Sequence, residues 1–432
     1  MDRLKIRGGK KLEGKIYISG AKNAALPLIC ASLLTDETVT LTNMPVLSDI
    51  RSMNALLEQL GTSIESRDEI IDGNACKNYT YHTKEFSSLV APYDYVRKMR
   101  ASYYVLGPLL ARQGYVELSL PGGCAIGARP MDIHLSALEQ MGAVIEIKNG
   151  YVIAKVDGRL KGAHLVFNIA SVGATCNVLM AATLAEGTTV IENAAREPEI
   201  GDLAEMLNSM GAKISGIGTS VLTIEGVAKL HGTRHKIIAD RIEAGSYAVA
   251  AAITRGCIEL VNASASTLQT PIKILRKAGV SVEEREHSLV VDAEGCTLTG
   301  QDIMTDYYPG FPTDLQAQFL TLMLTAQGAS MVTEMIFENR FMHVPELMRM
   351  GANINVHGHA SAIVRGVDKL YGAPVMATDL RASFALVLAG LIAEGETIVN
   401  RIYHLDRGYE KLEHKLRSVG ADIERVSDKE DE

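Results

Sequence analysis

A helical stretch that ends in glycine and runs on into a short β-branched segment occurs six times along the chain. The copies are Glu58-Gln-Leu-Gly61-Thr-Ser-Ile64, Glu139-Gln-Met-Gly142-Ala-Val-Ile145, Asn208-Ser-Met-Gly211-Ala-Lys-Ile214, Arg276-Lys-Ala-Gly279-Val-Ser-Val282, Met348-Arg-Met-Gly351-Ala-Asn-Ile354 and Arg417-Ser-Val-Gly420-Ala-Asp-Ile423. Their glycines lie 81, 69, 68, 72 and 69 residues apart, so one unit of about seventy residues is used six times. Each unit also carries a second helix, nearly apolar all round and rich in small residues, as in Ala174–Ala185, Ala248–Thr254 and Phe384–Ala393. Such a helix must be buried. A short strand follows it, read at Thr38–Leu41, Tyr115–Leu118, Thr188–Ile191, Cys257–Leu260, Ser330–Thr333 and Glu396–Val399. Next comes an amphipathic helix with exposed charges, such as Glu346–Met350 or Tyr409–Ser418, ending at the repeating glycine, which suits a helix C-terminus. Helix, strand, helix, strand in each unit gives an α/β fold with buried inner helices. Six units suggest two lobes of three with a boundary near Ile238, a grouping that the period by itself leaves open.

With 47% apolar and 22% charged residues over 432 positions, the chain has the balance of a soluble globular protein. The first residues, Met1–Lys15, lead into no apolar signal-peptide core, and runs such as Phe384–Ala393 are too short to span a bilayer. A cytoplasmic protein without membrane insertion is expected. The six cysteines, at positions 30, 76, 124, 176, 257 and 296, form no Cys-x-x-Cys pair, which argues against a zinc site and against a disulfide framework. Cys30 and Cys176 fall in small-apolar helical stretches and read as core packing. A net charge of −8 disfavours a nucleic-acid binder, so any anionic ligand must meet a local basic cluster.

One such cluster is carried by Ser119-Leu-Pro-Gly-Gly-Cys124-Ala-Ile-Gly-Ala-Arg129-Pro130, a glycine-rich loop with a thiol and a guanidinium five residues apart. Its glycines allow close backbone approach to a ligand, and Pro130 is placed to start a helix from Asp132. The repeat suggests further positions. Five units carry Leu-x-Gly before the inner helix, at Leu12/Gly14, Leu160/Gly162, Leu230/Gly232, Leu298/Gly300 and Leu370/Gly372, and polar residues then fall at the strand-to-helix junction. These are Lys22 with Asn23, Ser171, Arg241, Asp314, and Asp379 with Arg381; Arg100 takes the same place in the remaining unit. Helix N-termini present free N–H groups and a positive dipole end, so a ring of them can hold anions. The turn Tyr308-Pro-Gly-Phe-Pro-Thr-Asp314 brings a carboxylate to the start of a buried helix, which is costly unless the group is used or paired, and Asp314 is the general-base candidate. Phe337-Glu-Asn-Arg340 and Asp406-Arg407 supply more guanidinium groups, Glu197-Pro-Glu199 adds two acids, and His134 falls early enough in its helix to face a site.

Taken together, Ser19-Gly-Ala-Lys22-Asn23-Ala-Ala, Lys98-Met-Arg100-Ala-Ser102, the Cys124 loop through Pro130, Pro309-Gly-Phe-Pro-Thr-Asp314, Phe337-Glu-Asn-Arg340, Thr378-Asp-Leu-Arg381-Ala-Ser383 and Asp406-Arg407-Gly-Tyr409 resemble the UDP-N-acetylglucosamine 1-carboxyvinyltransferase family of enolpyruvyl transferases, from about Leu4 to Glu424. The resemblance implies a two-lobed inside-out α/β barrel, with three βαβα-type repeats per lobe around buried inner helices and an active-site cleft closed by the cysteine loop. It places residues 22–238 in one lobe, residues 1–21 with 239–426 in the other, and leaves 427–432 as a disordered acidic tail. The implied reaction moves the enolpyruvyl group of phosphoenolpyruvate to the 3′-hydroxyl of UDP-N-acetylglucosamine and releases phosphate, with no metal or redox cofactor. It opens peptidoglycan synthesis, on which cell shape and division depend.

Residue by residue, the resemblance assigns catalysis to Cys124, Asp314 and Lys22. Phosphoenolpyruvate falls to Lys22, Asn23, Arg129, Arg340, Arg381 and Arg407. The nucleotide sugar falls to Asn23, Arg100, Arg129, Pro130, Met131, Asp132, Ile133, Ser171, Val172, Gly173, Asp314 and Ile336. Nearby cations favour the thiolate of Cys124, whereas a general acid must keep its proton. Proton donor, covalent partner and helper in product release therefore stay open for this thiol, and its presence implies sensitivity to the epoxide fosfomycin. The nearest alternative is 3-phosphoshikimate 1-carboxyvinyltransferase; a remote one is an RNA-end-processing or nucleic-acid-binding repeat protein.

Overall fold

The computed structural model describes residues 2–71, 74–97, 99–120 and 131–427. They fall into two compact units, one within residues 2–19 and 239–427 and the other within 20–120 and 131–238. The six repeating glycines have φ of 108°, 95°, 101°, 102°, 95° and 101° at Gly61, Gly142, Gly211, Gly279, Gly351 and Gly420. A side chain at these helix ends would be strained in the left-handed region, which is why the period is written in glycine.

Each repeat builds one four-stranded sheet, and the described residues form six. In one of them His164–Val166 runs parallel to Thr188–Glu192, which pairs antiparallel with Val221–Glu225, itself antiparallel to Lys213–Ser215. The same order recurs as Ile303–Met304, Ala329–Thr333, Ser361–Arg365 and Asn353–His357. The sheets thus add two strands per unit to the two read from sequence. The added parallel edge strand is only two to four residues long where it spans Ile303–Met304, His164–Val166 or Thr233–Lys236, too short to display a period of two. The Arg67–Leu89 stretch, without distinctive motifs, contributes to a hairpin of Ser63–Ile71 with Asn74–His82.

Each unit closes on itself. Arg3–Arg7 lies between Glu396–Asn400 and Asp422–Val426, and Glu13–Tyr17 runs parallel to Cys257–Val261. In the other unit Thr233–Lys236 pairs in parallel with Val39–Met44, joining the end of that segment to its beginning. The leucines of the Leu-x-Gly copies, Leu12, Leu160, Leu230, Leu298 and Leu370, are all buried.

The inner helices are buried as their composition demands. Arg241–Ile253 shows no exposed residue, and it packs against Gln316–Met323 and Ala382–Ile392. Phe384 sits edge-on to Tyr247 at 5.6 Å and lies 4.5 Å from the Tyr409 ring, so three aromatic side chains from different segments fill the space between these helices. Cys30 and Cys176 are buried in the other unit, where burial raises both thiols above their usual range. Among the described residues no helix is long and apolar enough to cross a membrane.

Candidate active site

In the unit that holds the carboxyl-terminal half, the turn after Tyr308 enters a short 3-10 turn, Thr313–Leu315, and then the buried helix Gln316–Met323. This places Asp314 at a helix start with its side chain 24% exposed. Arg340 Nη2 donates to its Oδ1 at 2.6 Å and Arg381 Nε to its Oδ2 at 3.3 Å. Both arginines are buried. The expected carboxylate is therefore paired, by two of the guanidinium groups that the resemblance assigns to phosphoenolpyruvate.

Arg381 is itself fixed by its own helix start. Asp379 Oδ1 accepts from Arg381 N at 2.9 Å and from Ala382 N at 3.0 Å, which caps Ala382–Ile392. Burial works against the charge of Arg381, but the carboxylates of Asp314 and Asp240 and the phenol of Tyr409 outweigh it, and its pKa is raised. The guanidinium lies 5.5 Å from the centre of the Tyr409 ring, and its two terminal nitrogens meet no hydrogen-bond acceptor among the described residues. Beneath it, Gln318 Nε2 donates to Asp314 O at 3.0 Å and to Tyr409 Oη at 3.0 Å, while Tyr409 Oη and Ser246 Oγ are 2.9 Å apart. Buried guanidinium nitrogens with no acceptor are suited to an anion supplied from outside.

Arg407 ends the 3-10 segment Ile402–Arg407 and is half-buried. Its neighbour Asp406 is held by Arg425, whose Nη2 approaches Oδ1 to 2.6 Å, and Arg425 also donates to Glu413 at 2.9 Å. Burial lowers the pKa of His404, and the positive charges of Arg407 and Arg401 lower it further. Ile336, on the loop that leads to Arg340, is half-buried.

In the other unit, Lys22 and Asn23 open the inner helix Lys22–Ala31. Lys22 Nζ lies 2.9 Å from Asp49 Oδ2, with the two side chains 8% and 5% exposed. Asp49 comes from the first turn of Ser48–Leu60 and was not singled out from the sequence. Arg100 begins the 3-10 segment Arg100–Val105 and is half-buried. Met131 is buried, and Asp132 and Ile133 begin Asp132–Gln140. Ser171 caps Val172–Ala182, its hydroxyl accepting from Ala174 N at 3.3 Å, so this side chain has a structural task. A Cβ on Gly173 would lie 2.7 Å from Tyr103 Oη and 3.0 Å from His134 Cε1, which leaves no room for a side chain. Cys124, Arg129 and Pro130 lie outside the described residues, as do residues 428–432 of the acidic tail.

His134 departs from the sequence expectation. It is buried against the Tyr103 ring, 4.9 Å away and edge-on, and its Nδ1 accepts from Asn177 Nδ2 at 3.0 Å. Asn177 Oδ1 accepts from Gly107 N at 2.9 Å, which fixes the amide's orientation and leaves the imidazole proton on Nε2. Burial pulls the pKa down to about 4, with Asp132 opposing weakly. A histidine that binds its proton less readily when folded makes the unfolded state the better proton acceptor, so stability is lost as pH falls from about 6.5 to about 4. The loss for His134 at the lower end is about 3 kcal/mol. Thermal unfolding across this range is expected to show a steeper acid decline than His134→Gln; parallel declines would contradict the assignment.

Among the described residues no group of three or more His, Cys, Asp or Glu side chains is arranged to hold a metal ion. Residues 6–416 match the model of the family described as EPSP synthase (3-phosphoshikimate 1-carboxyvinyltransferase). A UDP-N-acetylglucosamine 1-carboxyvinyltransferase of Paramagnetospirillum magneticum is 61% identical over 429 residues, covering 99% of each chain. One from Granulibacter bethesdensis is 61% identical over 427 residues, covering 99% of this chain and all of that one, at 100%. Among solved structures, the enolpyruvyl transferase NikO from Streptomyces tendae superimposes with a TM-score of 0.87 at 22% identity, covering 98% of this chain and 99% of its own. The EPSP synthase from Acinetobacter baumannii gives 0.74 at 21% identity, covering 99% and 100%. At such identities the two structures speak for the fold alone, the α/β architecture of the enolpyruvyl transferases. The near-complete match in sequence goes further: this chain belongs to the EPSP synthase family, alongside relatives named UDP-N-acetylglucosamine 1-carboxyvinyltransferase.

Proposed function

We propose that the protein transfers the enolpyruvyl group of phosphoenolpyruvate to the 3′-hydroxyl of UDP-N-acetylglucosamine, in the cytoplasm, as the opening step of peptidoglycan synthesis. The observation that carries this reading is Asp314, a carboxylate at a helix start bonded to the buried guanidinium groups of Arg340 and Arg381. The carboxylate offers lone pairs to a hydroxyl proton, and the guanidinium groups offer donors to an anion. Full-length identity to enzymes named for this activity supports the choice of acceptor over shikimate 3-phosphate.

In the addition, the sugar hydroxyl loses its proton to Asp314 while its oxygen bonds to C2 of phosphoenolpyruvate and the methylene carbon gains a proton. Cys124 is the proposed donor of that proton. Elimination then removes a proton from the new methyl group and breaks the C2–O bond to phosphate, which regenerates the enol ether. Lys22, Asn23, Arg129, Arg340, Arg381 and Arg407 are assigned to the phosphate and carboxylate of phosphoenolpyruvate. Asn23, Arg100, Arg129, Pro130, Met131, Asp132, Ile133, Ser171, Val172, Gly173, Asp314 and Ile336 are assigned to the nucleotide sugar. Cations placed before charge develops stabilise the transition state at no reorganisation cost. Residues 22–238 and residues 1–21 with 239–426 are the proposed functional lobes. No metal or redox cofactor enters the proposed reaction.

Proton NMR of the product should show vinyl resonances on a 3′-O-enolpyruvyl nucleotide sugar, and recovery of unchanged UDP-N-acetylglucosamine would sink the reading. A second test uses the thiol. Fosfomycin is expected to inactivate the wild-type enzyme with loss of one titratable thiol and to leave Cys124→Asp active; equal survival of both proteins contradicts a reactive Cys124.

A further inference from the structure

The strand Ala329–Thr333 runs directly into Glu334, a carboxylate only 3% exposed. Four donors from three separate segments converge on it. Thr305 Oγ1 lies 3.0 Å and Thr313 Oγ1 3.1 Å from Oε1, with Thr313 Oγ1 also 3.0 Å from Oε2. The backbone N–H groups of Ile336 and Phe337 donate to Oε1 at 2.9 and 3.1 Å. A carboxylate in such a position is costly unless bonded on both oxygens, so these contacts tie the Asp314 turn to the loop that carries Ile336 and Arg340.

The threonine hydroxyl sets a direction. It has one proton, and with that proton spent on Glu334 its lone pairs are left for Arg340, whose Nε donates to Thr313 Oγ1 at 3.2 Å. The same guanidinium gives Nη2 to Asp314 at 2.6 Å. Because the guanidinium is a rigid planar fork, fixing Nε also fixes where both terminal nitrogens point. We propose that Glu334, acting through the Thr313 hydroxyl, is a positioning residue for the Arg340–Asp314 pair and, through the two amides it holds, for Ile336. This rests on the reading that Asp314 takes the sugar hydroxyl proton.

Steady-state phosphate release from phosphoenolpyruvate and UDP-N-acetylglucosamine tests the chain of contacts. Thr313→Val keeps nearly the same shape and removes the hydroxyl; it is expected to lower kcat about 10- to 100-fold while KM for the nucleotide sugar stays within about twofold. Thr313→Ser, which keeps the hydroxyl, is expected to retain kcat within about threefold of wild type. Glu334→Gln should lower kcat and also raise KM for UDP-N-acetylglucosamine, since the Ile336 turn loses a charged acceptor. The double variant should have a kcat within about twofold of Glu334→Gln alone, because both changes cut one path.

Wild-type kcat in Thr313→Val, or losses that multiply in the double variant, overturns the proposal. Should Glu334→Gln fail to fold, the valine and serine variants decide it, their melting temperatures confirming that they are folded. Wild-type protein that releases no phosphate with UDP-N-acetylglucosamine overturns the functional reading, and the positioning role falls with it.

Discussion

Replacing Asp314 by alanine is expected to lower kcat by about 10²–10⁴-fold, the range that a positioned proton acceptor contributes. The same change takes away the carboxylate that faces Arg340 Nη2 at 2.6 Å and Arg381 Nε at 3.3 Å. Two guanidinium groups are then left close to each other, so a fall in stability accompanies the loss of rate. Asp314→Asn separates the two effects, because an amide oxygen still accepts from one arginine but is a far weaker proton acceptor. It should melt closer to wild type than Asp314→Ala does and have an equally low kcat. A kcat within tenfold of wild type in both variants would remove Asp314 from proton transfer, whatever their stability.

Asp49→Ala is expected to destabilise its unit by about 3–5 kcal/mol, the usual cost of stripping one partner from a buried ion pair. Lys22 Nζ and Asp49 Oδ2 are 2.9 Å apart with side chains 8% and 5% exposed, so little solvent screens the remaining ammonium. Because Lys22 is assigned to phosphoenolpyruvate, loss of the Asp49 contact should also raise KM for that substrate more than for the nucleotide sugar. Replacing both partners together, as Lys22→Met with Asp49→Leu, should recover most of the stability while leaving the enzyme inactive. Denaturant unfolding decides the matter. A midpoint for Asp49→Ala equal to that of wild type would mean that the pair does not hold Lys22.

Much of the fold was legible because the repeat is written in residues whose task is local. A glycine with φ near 100° at six helix ends, a buried leucine before the inner helix and an inner helix without a polar face each follow from backbone geometry or burial. The strands that escaped notice are different in kind. His164–Val166 and Ile303–Met304 become strands only because a longer neighbour offers them a partner, and no alternation survives in two or three residues.

The site divides the same way. Asp314 and Arg381 stood out because a charge at the start of an apolar helix needs a reason, Arg340 through the Phe337-Glu-Asn-Arg340 motif after its strand, and the structure brings these three together. Asp49 and Glu334 did not stand out. An acid in the first turn of an amphipathic helix reads as ordinary dipole compensation, and an acid after a strand reads as a loop charge. Only tertiary packing puts the first on Lys22 and buries the second under Thr305 and Thr313. His134 misled for a related reason: its helical position suggests an open face, but Tyr103 from the start of its own repeat and Asn177 from the next one enclose it.

The most direct test of enolpyruvyl transfer is phosphate release from phosphoenolpyruvate by the wild-type protein, measured with UDP-N-acetylglucosamine, with shikimate 3-phosphate and with no acceptor. Release only with the nucleotide sugar is the predicted result. Release with shikimate 3-phosphate instead, or with neither acceptor, would contradict it.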